Sequence, residues 1–251
     1  MIEVAISLAI IGIALVGIIA VLPIGLRTQR DNRESTVINQ DATVFIEDIR
    51  NGSRGADDLT NYVYLITNSW TLFDSAGFVK SGGNNYAYTA AFAYGTSVPS
   101  MALTNDAHIV GLLSTPEFTD TSFNPTSNLF NGGYSNHVVA YVRSISGPAA
   151  EKPPQDNPLL ANDSFSYRIF CVNAPVATDT NAPNLNSPYT KQLSANLHEL
   201  RLTFLWPQLP NGGLGTGHQT YRALVAGRIA PTNSAGQFLY FYKSQSFTNA
   251  P

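Results

Sequence analysis

The stretch at residues 1–30, MIEVAISLAIIGIALVGIIAVLPIGLRTQR, decides the fold of this chain. From Met1 to Leu22 the only polar side chains are Glu3 and Ser7. As a helix that rises by about 1.5 Å per residue, these residues measure about 33 Å, close to the thickness of the hydrocarbon core of a bilayer. We therefore expect an apolar helix that is able to span a membrane. An ordinary single-span anchor is the simplest interpretation.

A cleavable secretory signal fits this stretch poorly. No basic segment precedes the apolar run, the run is too long, and an amphipathic pattern follows it where a cleavage site is expected. Arg27, Arg30 and Arg33 follow the run, and the positive-inside rule on its own would hold that end in the cytoplasm. Large domains translocate regardless of nearby charge, so we expect the rest of the chain to face outward.

Glu3 is the residue that an ordinary anchor does not explain. An ionisable group in an otherwise apolar spanning segment indicates a functional role with a specific partner. No Lys or Arg occurs among the first 26 residues. The partner is therefore expected to be the terminal amine, a lipid head group or another molecule.

Small residues and a proline shape the rest of the apolar run. Ala5, Ala9 and Gly12 recur along one helical face, and small residues there allow a neighbouring helix to approach closely. Pro23 removes a backbone donor and clashes with the preceding turn, at a cost of about 3 kcal/mol in a regular helix. We therefore expect Val21–Gly25 to kink or unwind, with neighbouring helices satisfying the freed backbone groups.

The order of these features resembles the N-terminus of the type IV pilin superfamily, which includes the pseudopilins of type II secretion systems. The matching residues are Met1-Ile2-Glu3-Val4, then AISLAIIGIALVGIIA, then Val21-Leu22-Pro23-Ile24-Gly25. The resemblance covers roughly the first 50 residues and none of the remaining 200 or so. In the family the glutamate is normally the fifth residue of the processed chain, after a leader that ends in glycine. Here it is the third residue, and its spacing to the proline is a few residues longer.

The resemblance implies a structural function. Family members are anchored in the inner membrane by this helix, cleaved by a prepilin peptidase, usually methylated on the new N-terminus, and extracted by an assembly machinery into an extracellular filament of bundled helices. Glu3 would neutralise the terminal amine of an adjacent copy, because two opposite charges in an apolar core become tolerable as a pair. Ala5, Ala9 and Gly12 would lie between helices, and Pro23 and Gly25 would allow local stretching. The resemblance implies no catalysis and no cofactor.

The apolar run is followed by an amphipathic pattern. An apolar stripe at helical spacing predicts a face that packs on a globular head: Val37, Ile38, Ala42, Phe45 and Ile49. Asn51-Gly52 is typical of a helix C-terminus. Between the two parts, the charged residues from Arg27 to Glu34 suit either a solvated helix face or pairing between subunits.

These patterns predict two regions. Residues 1–52 form the helix, apolar over 1–26 and amphipathic over 27–52, and residues 53–251 form a β-rich head. The fold class expected is α+β, with the helix packed on an antiparallel sheet. Alternation and β-branched or aromatic content predict seven strands, at residues 62–67, 86–93, 137–145, 164–172, 198–206, 220–228 and 238–242.

Several classes of function find no support in the sequence. Charged residues make up 12% of the chain and the net charge is −3, so no basic field indicates nucleic acid as a partner. Cys171 is the only cysteine and is expected to be a small buried apolar residue. His198-Glu199 lacks the second histidine of a zinc-protease helix, and the glycines from Gly213 to Gly217 indicate a hairpin rather than a phosphate loop.

The head gives no clear binding motif either. Asp156, Asp163 and Asp179 lie in predicted loops but form no calcium-ligand pattern. No nucleophile motif is present. The alternative to a filament subunit is therefore a membrane-anchored binding or hydrolytic domain, in which the helix is a tether that does not assemble.

Overall fold

The computed structural model describes residues 2–54, 59–74, 78–89, 100–103, 105–120, 133–146, 165–176, 188–209, 211–234 and 237–243. The chain divides into two compact units, Met1–Gln40 and Asp41–Pro251. Helix α1, Ile2–Asn51, runs through this division, so that its last eleven residues belong to the second unit.

Helix α1 is continuous, and the expected unwinding at Val21–Gly25 is absent. Pro23 lies inside the helix, and the residues on both sides of it are helical. The proline removes a single donor from the ladder of backbone hydrogen bonds, and the flanking bonds are sufficient to keep the segment helical. Thr28 Oγ1, one turn further on, donates to the Ile24 carbonyl at 3.0 Å.

The helix ends at the predicted position. Gly52 and Ser53 adopt left-handed backbone angles, with φ of 63° and 69°. The N–H of Ser53 donates to the Asp48 carbonyl at 3.1 Å, and that of Gly52 donates to the Ile49 carbonyl at 3.3 Å. This pair of bonds is the Schellman arrangement, which satisfies carbonyls that the helix end leaves free.

The described residues of the second unit form short helices and ten strands. The helices are α2 (Leu59–Tyr62), α3 (Asp106–Leu113) and α4 (Pro188–Asn196). The strands are β1 (Val63–Phe73), β2 (Val79–Thr89), β3 (Ser100–Ala102), β4 (Phe118–Asp120), β5 (Gly133–Arg143), β6 (Ser166–Pro175), β7 (Leu197–Gln208), β8 (Leu214–Ala226), β9 (Arg228–Ser234) and β10 (Gln237–Lys243).

Eight of these strands form one sheet. Its order is β3-β2-β1-β5-β6-β7-β8, with β4 paired to β5, and every pairing except β2 with β3 is antiparallel. Strands β9 and β10 form a separate antiparallel pair. The predicted α+β class, with a long apolar N-terminal helix and a large antiparallel sheet, is confirmed.

The sheet has a buried inner face and a more exposed outer face. Side chains alternate along each strand, so every second residue of β5, β6 and β7 is buried. The inner face carries Val138, Ala140 and Val142 of β5, Tyr167, Ile169 and Cys171 of β6, and Leu200, Leu202, Phe204 and Trp206 of β7. Tyr167 and Phe204 pack with ring centroids 5.5 Å apart, and Phe204 meets Tyr221 of β8 edge-on at 5.4 Å.

All seven predicted strands overlap an observed strand, although residues 90–93 and residue 164 lie outside the described ranges. The hairpin between β7 and β8 is also present, but its turn is at Leu209–Gly213. Gly217 lies within β8, where it is paired with Trp206 of β7. A Cβ atom at Gly217 would lie 2.5 Å from Cε2 of that indole.

Candidate functional site: the apolar helix surface and its anchor

The first unit exposes a continuous apolar surface, which we call the apolar helix surface (Ile2–Leu26). Each of its fifteen large apolar side chains is 52–77% exposed. Soluble proteins rarely expose contiguous apolar patches larger than a few hundred Å². Burial of one large apolar side chain contributes about 1.5–3 kcal/mol, so this surface represents on the order of tens of kcal/mol. It therefore requires lipid or other protein around it.

The length and composition of α1 allow it to cross a membrane. At about 1.5 Å per residue, the apolar helix surface measures about 37 Å, which exceeds the thickness of about 30 Å of a bilayer hydrocarbon core. A membrane anchor is consistent with these dimensions.

Glu3 lies on this surface. Its backbone carbonyl accepts a hydrogen bond from Ser7 Oγ at 2.8 Å, which satisfies the only other polar side chain of the apolar run. Among the described residues, the Glu3 carboxylate takes part in no ion pair. The described part of the chain therefore supplies no counter-charge to Glu3.

The small residues of the helix are open to a neighbour. A Cβ atom built at Gly12 or at Gly25 would meet nothing within 4 Å. No contact within the described chain therefore requires glycine at these positions. Ala5, Ala9 and Pro23 are exposed in the same segment, so the proposed assembly residues all lie on accessible helix.

The polar segment after the apolar surface is only partly paired. Arg30 Nε donates to Glu34 Oε1 at 2.7 Å, an i to i+4 contact within the helix. Arg27 and Arg33 are exposed. An exposed pair of this kind contributes about 0.3–0.5 kcal/mol. This weak ion pair is compatible with both interpretations of the segment, a solvated helix face and pairing between subunits.

Asp41 fixes the last turns of α1 within the second unit, and the sequence reasoning missed it. The residue is completely buried. Its Oδ2 accepts hydrogen bonds from the Ile145 N–H at 3.0 Å and from Tyr167 Oη at 2.8 Å. Its Oδ1 accepts from the Ser146 N–H at 2.9 Å and from Ser146 Oγ. We call this arrangement the Asp41 anchor, which joins α1, the end of β5 and strand β6.

Asp41 is a buried acid that forms no ion pair with a described residue. Burial raises the pKa of Asp41 above its ordinary value, and the hydrogen bonds from Ser146, Tyr167 and Ile145 oppose this rise. Burial, and secondly the Asp41 charge, raise the pKa of Tyr167, so its hydroxyl remains a donor. A buried carboxyl group that accepts several hydrogen bonds fixes the positions of its donors relative to the helix that carries it, because each donor left unsatisfied would be costly.

A sequence signal for Asp41 exists. It lies three residues after Ile38 and four before Phe45, on the predicted apolar stripe, where an acid is out of place. Of the other residues of that stripe, Ala42, Phe45 and Ile49 are buried in the second unit. Val37 and Ile38 precede the anchor in the same helix, in the first unit.

The head offers no catalytic constellation among its described residues. No group of three or more His, Cys, Asp or Glu side chains able to hold a metal occurs in those residues. Asp156, Asp163 and Asp179 lie outside the described ranges. Cys171 is buried and unpaired, as predicted, and burial raises its pKa, so the thiol is unreactive.

A polar network crosses the interior of the head near His198. Tyr242 Oη donates to Asn173 Oδ1 at 2.7 Å, and Asn173 Nδ2 donates to the Ser114 carbonyl at 2.6 Å. His198 is buried and meets the Tyr242 ring edge-on at 5.7 Å. Burial lowers the pKa of His198, so the imidazole is neutral near pH 7. These groups connect β6, β7, β10 and the end of α3, which is a structural role.

Comparison with protein-family models, with curated proteins and with solved structures gives no match to this chain. The arrangement of a 50-residue apolar N-terminal helix and a large antiparallel sheet is compatible with a pilin-like fold.

Proposed function

We propose that this chain is the structural subunit of a pilin-like filament on the cell surface, related to type IV pilins and type II secretion pseudopilins. The subunit is anchored in the inner membrane by α1, processed and methylated by a prepilin peptidase, and passed by a pilus or secretion machinery into a helical homopolymer. The observation that carries this proposal is the exposure of the apolar helix surface together with its Glu3 carboxylate, which takes part in no ion pair with any described residue.

Bundled helices would satisfy both features at once. Neighbouring copies bury the apolar side chains, and the terminal amine of one copy neutralises Glu3 of the next, which fixes the axial register. Gly12 and Ala9 let the helix backbones approach. Pro23 and Gly25 mark the segment of weakest helix, where stretching under load would begin.

Cysteine cross-linking in surface material tests this proposal. Cys171 is buried and unreactive, so a single introduced cysteine reports alone. Ala9→Cys is expected to give disulfide-linked oligomers in sheared filaments, since packed helices lie about 8–10 Å apart. Ser53→Cys, beyond the end of α1, is the control and is expected to give far less. Electron microscopy of the same material should show helical filaments.

The alternative, a membrane-anchored binding or hydrolytic domain, predicts a different result. A tether that does not assemble gives detergent-soluble monomers, no filaments and no difference between the two cysteine variants. That outcome would reject the filament proposal.

A further inference from the structure

Three arginines follow directly after the apolar helix surface. We call them the membrane-proximal arginines: Arg27, Arg30 and Arg33. They lie within seven residues of α1, whereas the whole chain of 251 residues contains only 14 Lys and Arg. No other Lys or Arg occurs before Arg50. The positive side chains of the first unit are therefore concentrated at one place, next to Leu26, the last residue of the apolar surface.

Two of the membrane-proximal arginines have no counter-charge within the helix. Arg27 and Arg33 are exposed and form no ion pair with any described residue. Arg30 contacts Glu34, and its side chain is still 71% exposed. The other acid of this segment is Asp31, which is also exposed. Three cations and two acids leave one positive charge over, so the guanidinium groups of Arg27 and Arg33 are accessible to an anion.

The positions of these arginines along the helix match the head-group layer of a bilayer. The hydrocarbon core is about 30 Å thick and the whole bilayer about 40–45 Å, so each head-group layer measures about 5–8 Å. With Leu26 at the edge of the hydrocarbon, Arg27 lies about 1.5 Å beyond that edge and Arg30 about 6 Å beyond it. Arg33 lies about 10 Å beyond the edge, and its long side chain can extend back toward the interface. Tilt of the helix brings all three closer to the hydrocarbon.

No aromatic side chain shares the role of interface anchor with these arginines. Trp and Tyr commonly hold a spanning helix at the membrane surface, but neither occurs among the first 44 residues. The first aromatic residue is Phe45, which is buried in the second unit. The tilt and depth of a spanning helix depend on such anchors. At this end of the apolar surface, the arginines are the residues that can set them.

This position restricts the class of partner. The anion that occupies a head-group layer is the phosphate of a phospholipid, and a guanidinium group binds phosphate through two parallel N–H···O bonds. An acidic peptide or a nucleic acid would have to enter a layer that already carries these phosphates, and would be repelled by them. A second copy of the chain supplies only Asp31 and Glu34 at the same depth, together with three more arginines. Pairing between copies therefore leaves the excess positive charge unmatched, whereas lipid phosphate neutralises it.

We propose that the membrane-proximal arginines bind the phosphate groups of anionic phospholipids, with Arg27 and Arg33 as the main contacts. The acyl chains of the same lipids would cover the adjacent exposed side chains of Ile24 and Leu26. The bound lipids would set the depth of α1 in the bilayer. This inference rests on the membrane anchoring that is part of the proposed function, and it does not depend on filament assembly.

The test places the full-length chain in phosphatidylcholine vesicles that contain spin-labelled phosphatidylglycerol or spin-labelled phosphatidylcholine. Electron spin resonance gives the relative association of the two labelled lipids with the protein. The native chain is expected to prefer phosphatidylglycerol about fivefold, and Arg27→Gln/Arg33→Gln should reduce this preference to less than about twofold. Arg50→Gln/Arg54→Gln removes the same charge from the second unit and should leave the preference unchanged. Asp31→Asn removes the exposed acid of the segment and should raise the preference by about twofold.

Flotation of the vesicles separates failure of this inference from failure of the proposed function. A native chain that does not float with the vesicles would overturn both, because no membrane anchor would exist. A chain that floats but associates equally with the two lipids would overturn only the contact with phosphate, as would an equal loss of preference in the two double variants. If Arg27→Gln/Arg33→Gln kept the full preference but formed no filaments, the arginines would pair between subunits instead. The melting temperature of the head should be the same in all variants.

Discussion

Replacement of Asp41 by alanine should strongly destabilise the head. The substitution leaves four donors without their acceptor: the N–H groups of Ile145 and Ser146 and the hydroxyls of Ser146 and Tyr167. Each buried donor left unsatisfied costs about 1–3 kcal/mol. The serine hydroxyl rotates to find another acceptor, and loss of a desolvated carboxyl group recovers part of the cost. We expect Asp41→Ala to lower the free energy of unfolding by about 2–4 kcal/mol.

The assay is urea unfolding of the full-length chain in detergent, followed by the fluorescence of Trp70 and Trp206. Glu47→Ala removes an exposed carboxylate from the same helix, and its cost should be below about 0.5 kcal/mol. Tyr167→Phe removes one donor and should cost about 1–2 kcal/mol. In the double variant with Asp41→Ala, the two effects should fail to add by about 1 kcal/mol. The role of the Asp41 anchor would be refuted if Asp41→Ala lowered the free energy of unfolding by less than Glu47→Ala does. It would also be refuted if the effects of Asp41→Ala and Tyr167→Phe were strictly additive.

The pH dependence supplies an independent check. Because burial raises the pKa of Asp41 in the folded head, the carboxyl group contributes most to stability below its ordinary unfolded pKa. That contribution is lost as the pH rises from about 4 through the raised folded value. The stability advantage of the native chain over Asp41→Asn should therefore shrink as the pH rises through this range. An advantage that instead grows with pH would mean that the hydrogen bonds outweigh burial.

Three further outcomes are expected, the first from the proposed function and the other two from the structure. Glu3→Gln should abolish the filaments seen by electron microscopy, while the melting temperature of the head stays unchanged. Filaments of normal abundance would show that assembly does not require the Glu3 charge. Gly111→Ala should cost about 1–3 kcal/mol in urea unfolding, because the added Cβ would lie 2.8 Å from Leu239 Cβ and 2.9 Å from Phe241 Cζ. His198 has a lowered pKa, so protonation favours the unfolded state, and the stability of the native head should fall below about pH 6.5 more steeply than that of His198→Phe.

The sequence predicted the fold where one local pattern was sufficient. An uninterrupted apolar run defined the first part of α1, and Asn51-Gly52 marked its end, because glycine adopts the left-handed conformation without strain. Strands with alternating burial, such as β7, were also predictable, since every second residue enters the core.

The elements that were missed depend on distant partners. Strands β3 and β4 are three residues long and exist through pairing with β2 and β5. Helix α3 packs against β10 through Gly111, a contact between residues more than 120 positions apart in the sequence. Asp41 was missed for the same reason, because its four donors lie more than 100 residues away. The unwinding expected at Pro23 is absent because the backbone hydrogen bonds on both sides of the proline keep the helix continuous.

The glycines and the carboxylate of the apolar helix lower its stability, and this cost bears on the choice between a lipid-facing anchor and a helix bundle. Glycine in a helix interior costs about 1 kcal/mol of helix stability relative to alanine. A Cβ atom at Gly12, Gly17 or Gly25 would meet nothing within 4 Å, so no contact within the described chain offsets this cost. A helix surrounded only by lipid gains nothing from these glycines, nor from a carboxylate among apolar side chains. A bundle gains from both, because the glycines allow close helix packing and the carboxylate finds a counter-charge. The features that weaken an isolated membrane helix are therefore those that would favour the proposed assembly.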